Sequence, residues 1–152
     1  MRKFHPLAVE AMRQGKRIYH LNIGQPDIST PQAFFDAIRE SQPRVLEYAA
    51  SAGVPELLAA VQGYYGRLGV SLQKQDILIT NGGSEALMML MLSILDEGDE
   101  IIVPEPFYPN YTTFIHAAGG VVCPVPTTPE EGYRYADPGE VEGRLNARTP
   151  SI

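Results

Sequence analysis

The chain has 152 residues, 44% of them hydrophobic and 20% charged, with a formal net charge of −6. That supplies enough apolar residues for a core, and the acidic balance argues against nucleic acid or an anionic membrane as a main partner. The lone Cys123 excludes an internal disulfide, no apolar run reaches the ~20 residues that span a bilayer, and no signal-peptide apolar region is present, so a soluble, cytoplasmic protein without a metal site is expected.

PLAVEAMRQGK reads as a short helix from Pro6 to about Gly15, followed by RIYHLNIGQPD, an extended piece broken at Gly24-Gln25-Pro26. Ser29-Thr30-Pro31 is expected to cap a helix over QAFFDAIRE. A further helix starts at Val54-Pro55 and runs through ELLAAVQGYYGRL, although Gly63 and Gly66 each cost about 1 kcal/mol against alanine in a helix interior.

After Gly69 the rhythm changes. DILIT, DEIIVP and VVCPVP read as strands, SEALMMLMLSILD and PNYTTFIHAA as helices, and PGEVEGRLNA as a final helix capped by Asp137. Short apolar strands alternating with helices predict parallel strands joined by right-handed crossovers, hence an α/β layered fold. The helix from Ser84 is apolar almost all round and is expected to be buried on several sides, its methionines serving the core. Arg148-Thr149-Pro150-Ser151-Ile152 stops where a next strand should begin, so the chain is expected to be the N-terminal part of a larger protein.

The joint Thr80-Asn81-Gly82-Gly83-Ser84 between an expected strand and helix has the make-up of an anion site. The first N–H groups of a helix lack internal partners and carry the positive end of its dipole, and glycines allow close approach. A plain turn with Ser84 as helix cap and Glu85 favouring the dipole explains the same residues. The stretch has neither the lysine of a P-loop nor the third glycine of a dinucleotide fingerprint. Gly82-Gly83-Ser84-Glu85-Ala86 does match a nucleophile elbow except at its last place, which would make Ser84 the nucleophile of an α/β-hydrolase-like serine enzyme. His116 is the one histidine that follows, inside an expected helix, where a surface or packing role suits it better.

Several stretches together resemble the class I/II aminotransferases, the fold-type I enzymes that use pyridoxal 5'-phosphate: LNIGQPD, YAASAGVPEL, ITNGGSEAL, DEGDEIIVPEPFYPNY and AGGVVCPVP, in this order from about Tyr19 onward. The resemblance implies a homodimer that transfers an amino group between an amino acid and a 2-oxo acid. It implies that Gly82, Gly83 and Ser84 bind the cofactor phosphate, and that Tyr108 stacks on the pyridine ring. Tyr48 would reach the cofactor phosphate of the other subunit, and Gly24 would lie beside the substrate carboxylate. It further implies that residues 1–47 form an N-terminal arm and small-domain segment, and residues 48–152 the first part of the mainly parallel large domain. The lysine that forms the Schiff base, the aspartate at the pyridine nitrogen and the arginine for the substrate carboxylate all lie C-terminal to the matched region in this family. Lys3, Lys16 and Lys74 do not occupy the lysine's position, so no catalytic residue is expected here and the chain alone should be inactive. A serine hydrolase and a non-catalytic fragment that associates through an unfinished sheet are the two competing readings.

Overall fold

The computed structural model describes residues 4–21, 24–134 and 137–150. By internal contacts the chain divides into two units, Met1–Glu47 and Tyr48–Ile152.

The first unit holds α1 (His5–Arg13) and α2 (Gln32–Glu40), matching the two expected helices. Pro6 starts α1 with its fixed φ, and α2 carries its apolar stripe on Phe34, Phe35 and Ile38, all exposed. The expected cap of α2 is not formed: Pro31 itself is the N-cap, no side chain caps the helix, and the Pro31 carbonyl accepts the Phe34 N–H at 3.0 Å. With proline at the cap rather than at the first helical position, the hydroxyls of Ser29 and Thr30 lie too far upstream. Asn22 and Ile23, within the extended piece expected before Gly24, lie outside the described residues.

In the second unit α3 (Pro55–Arg67) begins where Val54-Pro55 predicts. Its Glu56 and Arg67 oppose the dipole at the two ends, and Leu58 is buried. Next come a 3-10 turn at Lys74–Asp76, α4 (Gly83–Ile94), β1 (Glu100–Glu105), α5 (Asn110–Ala117), β2 (Val121–Pro126) and α6 (Pro138–Glu142). The two strands pair in parallel with Glu100 opposite Val121 and Glu105 opposite Pro126, and α5 is the crossover between them. The α/β arrangement therefore follows the expected alternation.

The core lies between this ribbon and its helices. Met91 and Leu95, Val103, and Phe114 and Ile115 form one buried cluster, with Leu87, Met88, Ile101, Phe107 and Tyr111 packed around it. Ile115 is fully buried, which contributes about 1.5–3 kcal/mol relative to exposure. α5 ends in a pair of bonds, Gly119 N–H to His116 O at 3.1 Å and Gly120 N–H to Ile115 O at 2.9 Å, that turn the chain into β2.

Three expectations are corrected in this unit. DILIT is not a ladder strand: Ile77 is extended, but among the described residues Ile77–Thr80 has one backbone bond to a distant segment, from Ile79 N–H to Ala52 O at 2.9 Å. A strand needs a neighbour to complete its ladder, and among the described residues none lies alongside. α4 is covered on one face; Met91 is buried, whereas Leu92 is 59% and Leu90 49% exposed. The final helix stops at Glu142, because Gly143 takes the C-cap, although Asp137 caps it as expected through Gly139 N–H at 2.8 Å.

Candidate functional site

The glycine joint follows the segment Ile77–Thr80. Gly82 is the N-cap of α4 with φ of +87°, a left-handed conformation that L side chains rarely adopt. A Cβ built on Gly82 or Gly83 would meet nothing within 4 Å, so the face in front of the turn is open. No side chain caps α4. The N–H groups of Gly83, Ser84 and Glu85 belong to its first turn and have no intrahelical acceptor, and the first cross-turn bond runs from Ala86 N–H to Gly82 O at 3.4 Å. A helix start, open space and N–H donors without a partner among the described residues thus coincide.

Ser84 is not the cap that its hydroxyl suggests; it stands one position inside the helix. The turn is instead held by two neighbours. Thr80 Oγ1 donates to Gly82 O at 3.0 Å, and the Glu85 carboxylate reaches back to accept the Asn81 N–H. The latter is a variant of the capping box, legible in principle from an acidic residue three places after the cap glycine. Ser84 makes no side-chain hydrogen bond among the described residues, and His116 sits exposed on α5. Among the described residues no base is hydrogen-bonded to Ser84.

The aromatic candidate lies beyond the C-terminal end of β1. Tyr108 is 51% exposed, its ring edge-on to Tyr111 at 5.9 Å between centroids, and its hydroxyl accepts a hydrogen bond from Asn110 Nδ2 at 2.8 Å. Tyr111 in turn stacks on Phe107 at 6.4 Å, and both pack against the core cluster. α4 and α5, the helices that start at the glycine joint and just after Tyr108, pack against each other. Ligands of open α/β sheets favour such strand-to-helix exits.

Tyr48 opens the second unit, fully exposed and without a hydrogen bond among the described residues. The loop after it is tied to the glycine joint, because Ala52 O accepts the Ile79 N–H and Gly53 packs on the Ile79 side chain. Gly24 lies in the first unit, exposed, with open space where a Cβ would stand. Of the lysines, Lys16 and Lys74 are exposed and Lys3 lies outside the described residues.

Residues 16–147 match the model of the family described as aminotransferase class I and II. The chain belongs to that family. Within it, this chain is 38% identical over 147 residues to the aspartate/prephenate aminotransferase of Thermus thermophilus, covering 95% of the chain but 38% of that relative. It is 33% identical over 135 residues to the LL-diaminopimelate aminotransferase of Desulforudis audaxviator, covering 86% of the chain and 34% of the relative. Among solved structures, a mutant aspartate aminotransferase of Thermus thermophilus gives a TM-score of 0.85 at 38% identity, covering 97% of this chain and 39% of that one. The aspartate aminotransferase of Thermotoga maritima gives 0.87 at 29% identity, with 97% and 40% covered. The fold is therefore that of the fold-type I aminotransferases, and this family member spans two fifths or less of the length of these relatives.

Proposed function

We propose that this chain forms the phosphate-binding start of a homodimeric aminotransferase that uses pyridoxal 5'-phosphate to move an amino group between an amino acid and a 2-oxo acid. The observation that carries the proposal is the start of α4: a left-handed glycine cap, no capping side chain, first-turn N–H groups without a partner among the described residues, and open space beside Gly82 and Gly83. These features fit a phosphate, whose oxygens accept several N–H bonds and whose charge suits the helix dipole.

In this reading Gly82, Gly83 and Ser84 hold the cofactor phosphate through backbone N–H groups, with the Ser84 hydroxyl as a further donor. Tyr108 would stack on the cofactor ring, an aromatic contact that would add about 0.5–1.5 kcal/mol beyond area burial. Tyr48 would donate a hydrogen bond from its hydroxyl to the phosphate in the partner subunit, in keeping with an exposed phenol that has no hydrogen bond among the described residues. Gly24 leaves room for a substrate carboxylate beside its backbone. Residues 1–47 serve as arm and small-domain segment and residues 48–152 as the first part of the cofactor domain, in a protein of the cytoplasm. The bound cofactor supplies an electron-withdrawing ring that stabilises negative charge on the substrate α-carbon. None of the three lysines of this sequence is assigned the proton-shuttling role.

Relatives named for aspartate make L-aspartate the first substrate to try. The test is the intact mass of the protein translated from its full reading frame, loaded with pyridoxal phosphate and reduced with borohydride. A reduced adduct on a lysine beyond residue 152 is expected. Absence of any adduct contradicts the proposal.

A further inference from the structure

We infer that Asn110 is a positioning residue that fixes the ring of Tyr108 for a flat ligand, an inference that rests on the cofactor reading above. Tyr108 is half exposed on a loop, where a ring free to turn about two side-chain bonds would lose entropy on meeting a ligand. Two contacts restrain it before any ligand arrives.

The first is the Asn110 Nδ2 hydrogen bond to its hydroxyl oxygen at 2.8 Å. The second is the T-shaped contact with Tyr111, whose ring lies at 90° to the Tyr108 plane. Both partners belong to α5, and that helix is rooted in the core through Phe114 and Ile115. The orientation of an exposed ring is thereby tied to buried residues a helical turn away. The direction of the bond has a further consequence. Because the amide donates, the hydroxyl keeps its own proton for an acceptor on the ligand side.

The geometry also separates Asn110 from Tyr111. Tyr111 is built into the core cluster, so its loss would disturb packing. Asn110 occupies the first position of α5 and acts on Tyr108 through one removable bond.

The test is a double-mutant cycle on the full chain with pyridoxamine phosphate, a probe that needs no Schiff base. Asn110→Ala is expected to weaken binding about three- to tenfold, the size of one neutral hydrogen bond. In Tyr108→Phe, which lacks the hydroxyl, the same substitution is expected to change binding less than about twofold. A role of Asn110 in helix stability alone would instead lower affinity equally in both backgrounds, and that result overturns the inference. A second readout needs no ligand: with ring-labelled tyrosine, the Tyr108 signals of the free protein should shift toward those of an unrestrained tyrosine in Asn110→Ala. Unchanged signals overturn the inference. If the wild type does not bind the probe at all, the cofactor reading itself falls; if it binds and the losses add, the role of Asn110 alone falls.

Discussion

A Cβ on Gly53 would lie 2.4 Å from Cγ1 of Ile79 and 2.9 Å from its Cβ. Gly53 also has φ of +121°, so both space and backbone demand glycine. Its neighbour Ala52 accepts the Ile79 N–H, which makes this loop the clamp on the segment that delivers the glycine joint. Gly53→Ala should therefore cost about 2–4 kcal/mol in urea unfolding, from strain and overpacking together. Gly66→Ala, where a Cβ meets nothing within 4 Å inside α3, should gain about 0.5–1 kcal/mol. Equal effects at the two glycines would contradict the assignment.

Core burial divides α4 and α5 as sharply. Ile115→Ala, at a fully buried position, should lose about 2–5 kcal/mol, from transfer and the cavity left behind. Leu92→Ala, on the uncovered face of α4, should change stability by less than about 0.5 kcal/mol. Denaturant midpoints of the two variants check the ordering.

Much of this was legible in the sequence. α3 falls where its Val54-Pro55 start puts it, α2 covers the expected QAFFDAIRE without its expected cap, and β1, α5 and β2 alternate as the run of short apolar strands implied. What failed was whatever depends on a neighbour. DILIT has the composition of a strand, but a strand is completed by a partner, and composition does not say whether one is there. The all-round apolar pattern of α4 likewise predicts cover without naming what covers it. At the site, Gly82 and Gly83 were readable as the joint, whereas the supports were misassigned: Ser84 looked like the cap, while Glu85, whose spacing carried the signal, and Thr80 hold the turn. Nothing in the spacing of Tyr108 and Asn110 announces their hydrogen bond.

Glu85 offers its own check. Its carboxylate accepts the Asn81 N–H from one turn along α4. Glu85→Ala should cost about 0.5–2 kcal/mol, as for a lost helix cap, whereas Glu85→Gln keeps an acceptor and should cost less. Thermal unfolding of both variants decides whether the bond or merely the charge matters.

Ser84 should stay unlabelled by a fluorophosphonate probe. Its side chain has no hydrogen-bonded base among the described residues, and His116 is exposed on another helix. Intact-mass analysis after exposure to the probe reads this directly, and stoichiometric labelling at Ser84 would restore the hydrolase reading.

The central claim is that the start of α4 binds the phosphate of the cofactor. Calorimetry with pyridoxamine phosphate and with pyridoxamine, which differ by that one group, tests it most directly. Charge-assisted hydrogen bonds from the unpaired N–H groups predict binding tighter by about tenfold or more for the phosphorylated form. Equal affinity for the two compounds would contradict the account.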